Sequence, residues 1–197
     1  MEDMEKTLVN LAMAFVGESQ ARNRYNMYAS IARKEWYLQI ADIFDETAEQ
    51  EREHASWFFK MIQQLEEKIW KKAWDMIIET SVPIKKATTI ENLKYAVDGE
   101  THEFTEMYPE FARIAEEEWL MDIAVRIKSI AKAESHHANR YQRLLEQVSA
   151  ETVWKKEDEV ERVCSKCWYI HKWKNPPAAC PSCGHEKEYF EVRNEIY

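Results

Sequence analysis

The chain has 197 residues, 45% of them hydrophobic and 32% charged, with 27 Lys and Arg against 36 Asp and Glu for a net charge of -9. Such a length suits one large core with a small appendage, and the acidic balance argues against non-specific nucleic-acid binding, which rests on Lys and Arg neutralising phosphates. No run of about 18 apolar residues occurs, and the N-terminal Met-Glu-Asp-Met-Glu-Lys lacks the basic and then apolar order of a signal peptide, so a cytoplasmic protein with no membrane partner is expected.

Taken in chain order, the first segment carries an apolar stripe at helical spacing, Leu8, Leu11, Phe15, Glu18, Tyr25 and Ala29. The second runs Ile40, Phe44, Thr47, Glu51, His54 and Phe58. A stretch from about 68 to 88, with Pro83 and Thr88-Thr89, separates it from the third by far more than an ordinary bundle turn. The third stripe is Leu93, Ala96, Glu100, Glu103, Met107, Phe111 and Ile114, and the fourth is Ile123, Ile127, Ile130, Glu134, His137, Tyr141 and Leu144. Four amphipathic helices with one long crossover predict a mainly α, ferritin-like four-helix bundle over residues 1–147. Residues 148–160 lose the stripe and read as a flexible linker, and residues 161–197 hold all four cysteines and three of the five prolines. Val160, Val163, Tyr189, Phe190 and Val192 give that region short strands, so a second, small domain is expected. Only 3 glycines occur, where average usage of about 7% gives roughly 14, which excludes a turn-rich β fold for most of the chain.

The two halves of the bundle repeat at an offset of 83: Tyr25 matches Tyr108, Glu35-Trp36 matches Glu118-Trp119, Glu51 matches Glu134, and His54-Ala55 matches His137-Ala138. Glu18 and Glu100, each preceded by glycine, are 82 apart instead. One extra residue therefore lies between Glu100 and Tyr108, and a π-bulge in a continuous helix is predicted to absorb it.

Each stripe carries charge at its centre. A carboxylate in a bundle core costs several kcal/mol unless it is paired or bound to metal, and no matching set of Lys or Arg lies opposite Glu18, Glu51, Glu100 and Glu134. Residues three apart on a helix share a face, so Glu51 with His54 and Glu134 with His137 each aim an oxygen and a nitrogen at one point. One Glu from each of two helices and one Glu-x-x-His from each of the others is the ligand set of di-iron and di-manganese carboxylate proteins. Four carboxylates also balance two divalent ions. Glu53, His102 and His136 lie off the stripes and are expected at the surface. Glu103 shares the face of Glu100, has no counterpart in the first half, and reads as a ligand that binds one metal when the charge of the site rises.

Cys164-Ser165-Lys166-Cys167 and Cys180-Pro181-Ser182-Cys183 are two Cys-x-x-Cys pairs. Four thiolates suit tetrahedral zinc or one iron, and spacing does not choose between them. Trp168-Tyr169 after Cys167 and Pro181 after Cys180 resemble rubredoxin knuckles, which favours iron.

Over essentially its whole length the sequence resembles the rubrerythrin family. The residues that carry the resemblance are Gly17-Glu18-Ser19-Gln20-Ala21-Arg22, Glu51-Arg52-Glu53-His54, Gly99-Glu100-Thr101-His102-Glu103, Met107-Tyr108-Pro109, Glu134-Ser135-His136-His137 and the paired cysteines. The resemblance implies a non-haem di-iron peroxidase that reduces hydrogen peroxide to water in oxidative-stress defence. An Fe–O–Fe centre would be held by Glu18, Glu51, His54, Glu100, Glu103, Glu134 and His137, with Tyr25 and Tyr108 hydrogen-bonded to ligands. Electrons would arrive through one iron on Cys164, Cys167, Cys180 and Cys183, loaded by a separate rubredoxin or an NAD(P)H-dependent reductase. The family commonly passes them across a homodimer or larger oligomer. The alternative is a ferroxidase or iron-handling protein whose C-terminal module holds structural zinc. Where the family pattern has turn glycine, this chain has Trp36, Trp119 and Trp168. One reading is a codon translated as glycine in some bacteria and as tryptophan under another code.

Overall fold

The computed structural model describes residues 5–69 and 75–193. Five α-helices lead the chain: α1 (Glu5–Lys34), α2 (Leu38–Ile69), α3 (Thr89–His102), α4 (Tyr108–Glu117) and α5 (Met121–Ser149). Between α3 and α4 the backbone stays right-handed but widens to a π turn at Glu103–Met107, where the Tyr108 N–H donates to the Glu103 carbonyl. The residue inserted after Glu100 is thus absorbed without breaking the helix, as the repeat predicts. Pro109, which has no N–H to donate, follows where the ladder already skips a register. The α3–α4 run therefore acts as the third helix of the bundle.

Residues 75–88 of the crossover have no regular secondary structure, and residues 70–74 of the expected stretch lie outside those described. Thr88 ends it with a capping box, its side chain accepting from the Glu91 N–H while Glu91 reaches back. The repeat also places a pair of long-range caps. Glu35 accepts from the Thr89 N–H at 2.9 Å and its counterpart Glu118 from the Thr7 N–H at 3.1 Å, so each hairpin turn satisfies the first helix of the other hairpin.

Both hairpins turn on a left-handed residue. Trp36 has φ 67° and Trp119 φ 61°, with the Tyr37 N–H donating to Ala32 and the Leu120 N–H to Ala115 in the six-residue closure of a Schellman turn. Glycine is the residue this conformation favours, yet the turn forms with tryptophan; Trp119 is largely in solvent and Trp36 about half so.

Each bundle helix crosses two apolar clusters with an acid between them. Leu8, Leu11, Phe58, Leu65, Phe111 and Ile127 represent one cluster; Ala29, Ile40, Phe44, Leu93 and Tyr141 represent the other. Going along α1, α2, α3–α4 and α5, the chain passes from one cluster to the other at Glu18, Glu51, Glu100 and Glu134. A layer of carboxylates is thereby sealed between two hydrophobic plugs.

After α5 the chain forms a three-stranded antiparallel sheet, order β2-β1-β3, from β1 (Val160–Cys164), β2 (Ile170–Trp173) and β3 (Phe190–Val192). Strand β2 lies outside the residues expected to form strands. Helix α5 extends two residues past the expected boundary at 147, and the segment expected as a flexible linker is docked. Trp154 stacks on Tyr37 with centroids 5.2 Å apart and planes at 13°. The buried Arg162 donates to the Trp154 carbonyl at 3.1 Å, so the segment is tied to both domains. No helix among the described residues is long and apolar enough to cross a membrane.

Candidate metal centres

Glu18, Glu51, Glu100, Glu134 and His137 are buried, and His54 is nearly so. Their donor atoms form two groups, Glu18 with Glu51, His54 and Glu134, and Glu51 with Glu100, Glu134 and His137, each group within 4.8 Å. Glu51 and Glu134 belong to both, and their oxygens are divided between them. The Nδ1 of His54 lies 3.1 Å from Glu51 Oε2 and 2.7 Å from Glu134 Oε1. The Nδ1 of His137 lies 3.1 Å from Glu51 Oε1 and 2.8 Å from Glu134 Oε2. Two carboxylates thus span two positions, each position completed by one imidazole and one outer carboxylate.

The outer carboxylates are oriented crosswise. The Tyr25 hydroxyl on α1 donates to Glu100 Oε1 on α3, and the Tyr108 hydroxyl on α4 donates to Glu18 Oε1 on α1. Each carboxylate spends one oxygen on a buried tyrosine and turns Oε2 inward. Glu18 Oε2, Glu51 Oε1, Glu100 Oε2, both Glu134 oxygens and His137 Nδ1 are buried and make no well-directed hydrogen bond, although several of them face one another or His54 at 2.7–3.1 Å. Buried polar atoms left unsatisfied cost about 1–3 kcal/mol each, more when charged. Those orphans are the inward-facing atoms of the two donor sets, which is the fit that a pair of divalent cations requires.

Burial and neighbouring charges together favour the protonated forms of the outer carboxyls and of His54. Burial and the charges of Glu134 and Glu51 push Glu18 well up, and burial with Glu51 lifts Glu100 to about 8. Burial works against Glu51 too, but His137 and His54 hold it down to about 2. Burial would lower His54, yet Glu134 and Glu51 raise it to about 9.

Glu103 stands outside both donor sets. It opens the π turn, half-buried, and burial followed by the charges of Glu100, Glu134 and Glu51 raises its carboxyl well above the usual range. Glu53, His102 and His136 are exposed, as expected. Sequence reasoning missed Gln50, whose Oε1 lies 2.9 Å from His137 Nε2 and accepts from Arg140 at 3.1 Å. The outer nitrogen of a ligating imidazole needs such a partner. The repeat pointed away from this one, because Ala133 stands at the matching place.

In the C-terminal domain the four thiols converge, Cys164 Sγ 3.7 Å from Cys183 Sγ and Cys167 Sγ 3.5 Å from Cys180 Sγ. A tetrahedron with metal–sulfur bonds of about 2.3 Å has edges of about 3.8 Å, so the thiols are already at ligand spacing. Two alike turns hold them. The Trp168 N–H donates to the Cys164 carbonyl at 2.9 Å and the Gly184 N–H to the Cys180 carbonyl at 2.8 Å, with φ of 62° and 78°. The Tyr169 N–H directed at Cys167 draws that thiol down to about 6.

Comparison with known proteins agrees with both centres. The rubrerythrin family model matches residues 9–145, and the model of the rubredoxin-like domain of rubrerythrin matches residues 163–191. A Methanocaldococcus jannaschii protein provisionally named a rubrerythrin is 51% identical over 197 residues, 99% of this chain and 96% of that one. The rubrerythrin of Clostridium perfringens is 42% identical over 98% of this chain and 96% of its own. Among solved structures, fully reduced, all-ferrous nigerythrin superposes with a TM-score of 0.63 at 30% identity, covering 95% of this chain and 86% of that chain. A Desulfovibrio desulfuricans bacterioferritin with a di-iron site reaches 0.65 at 19% identity over 76% of this chain and 83% of that chain, which speaks for the bundle fold alone.

Proposed function

The chain belongs to the rubrerythrin family, an iron oxidoreductase with a di-iron bundle and a rubredoxin-type iron site, and we propose that it is a peroxidase reducing hydrogen peroxide to water. The observation that carries this reading is the joining, in one chain, of a two-metal carboxylate site to a separate four-thiolate site. The first suits a two-electron reaction and the second a one-electron relay. When bound, the iron pair supplies two electrons to the O–O bond, so that with two protons one peroxide gives two waters.

The residues have distinct tasks in this reading. Glu51 and Glu134 set the separation of the two metal positions, since each offers one oxygen to either side. Glu18 and Glu100 complete them, with Tyr108 and Tyr25 locking the carboxylate planes. Glu103 is the switching ligand. It stands at the edge of a site that four carboxylates would hold neutral with two divalent ions, and it would bind when oxidation adds positive charge there. Cys164, Cys167, Cys180 and Cys183 hold the relay iron, replenished by a rubredoxin or an NAD(P)H-dependent reductase. The chain itself has only 3 glycines and no nucleotide-binding glycine loop. We place the protein in the cytoplasm as a homodimer or larger oligomer, the form in which one subunit can reduce its neighbour.

The test is anaerobic reduction followed by one equivalent of peroxide, with both iron chromophores monitored. Oxidation of the bundle site followed by oxidation of the thiolate iron supports the reading. A bundle site that oxidises while the thiolate iron stays reduced defeats the relay. Metal analysis complements it: two irons and one zinc per chain, in place of three irons, would favour a structural C-terminal module.

A further inference from the structure

A cavity of about 520 Å³ is bounded by α1, α3, the π turn, the start of α4 and the crossover. Gly17 and Gly99 line it, one from each of two helices, directly before Glu18 and Glu100. Pro83 and its neighbours in the crossover cover it, and Glu103 and Met107 of the π turn form its inner wall.

Nothing in the fold requires glycine at 17 or 99. Glycine inside a helix is less favourable than alanine. Neither residue has positive φ, a conformation that only Gly184 among the described glycines adopts. Packing does not require them either, since a Cβ added at either position meets nothing within 4 Å. What the two glycines provide is open space, at related places of the repeat and facing one cavity. Glu103 joins that space to the metal site, because it lines the cavity one helical turn after the buried Glu100, on the same face.

We propose that this cavity is the route by which small ligands, hydrogen peroxide among them, reach the metal pair, and that residues 17 and 99 are glycine to keep it open. With peroxide as the traveller, the inference rests on the function proposed above; as a route for small anions it stands apart from that reading.

The experiment measures azide binding to the iron-loaded, oxidised protein by stopped-flow absorbance, for wild type and for Gly17→Ala, Gly17→Val, Gly17→Leu and Gly99→Leu. The association rate is expected to fall with side-chain size, about two-fold for alanine and ten-fold or more for leucine. The equilibrium affinity should stay within two-fold, because dissociation uses the same route and slows equally. Wild-type rates in both leucine variants would overturn the proposal, and so would an affinity loss with unchanged rates. Should leucine prevent folding, Gly17→Ala and Gly17→Val decide, since alanine suits the helix better than glycine does. A wild type that binds azide in this graded manner but consumes no peroxide would defeat the peroxidase reading and leave the route standing. Normal peroxide turnover with a flat azide series would defeat the route alone.

Discussion

Trp119→Gly should make this protein more stable although it deletes the largest side chain. The residue closes the turn between α4 and α5 at φ 61°, and its ring is 88% exposed, so little packing is lost with it. A side chain with Cβ in the left-handed region costs about 1–2 kcal/mol through its clash with the following carbonyl. Glycine removes that cost but brings a more disordered unfolded chain, worth about 0.4–1 kcal/mol against folding. The difference is a gain of about 0.5–1 kcal/mol, which for a chain of this size raises the melting temperature by about 1–4 °C. Trp119→Ala separates the two causes, since it removes the ring and keeps the Cβ. Calorimetry or circular dichroism of the metal-loaded protein should show the glycine variant above wild type and the alanine variant level with it or below. A glycine variant less stable than alanine would refute the backbone argument. Trp36 and Trp168 share this geometry, with φ of 67° and 62°, which sharpens the codon reading. Peptides from the natural protein should carry glycine masses at 36, 119 and 168, and tryptophan masses there would end that reading.

Other expectations concern the metal sites. Glu103→Ala should leave iron loading near wild type but slow peroxide turnover about ten-fold or more; unchanged kinetics would remove the switching role. Gln50→Ala frees the outer nitrogen of His137 and should weaken metal binding about 10–100-fold, read by competition with a chromophoric chelator; unaltered affinity would count against it. Chelation should give a protein whose melting temperature falls with pH. Glu100 is raised to about 8 and His54 to about 9, and groups with raised folded values stabilise below their ordinary pKa and lose that stability as pH climbs to the folded one. The loss therefore runs from about pH 4.5 to 8 for Glu100 and from about pH 6.5 to 9 for His54. Loaded protein should not follow, because metal displaces those protons and binds more tightly as pH rises. Parallel melting curves for the two forms would refute the assignment of these groups to the site.

Much of this molecule was legible along the chain because helices convert sequence spacing into shared faces. The apolar period, its interruption at Glu18, Glu51, Glu100 and Glu134, the Glu-x-x-His pairs and the paired Cys-x-x-Cys motifs follow from local geometry alone. So does the π turn, since a one-residue excess between otherwise matching helices must be absorbed somewhere. Tertiary structure decided what spacing leaves free. How Glu51 and Glu134 divide their oxygens, and which tyrosine serves which carboxylate, depend on side chains that meet across the bundle from distant parts of the sequence. The same holds for Gln50 against His137, for Trp154 anchoring the segment read as a flexible linker, and for Glu103, which shares the face of Glu100 by count yet lies outside both donor sets. A helical period fixes direction around one axis, whereas a metal site needs distances between axes, and those exist only once the helices have packed.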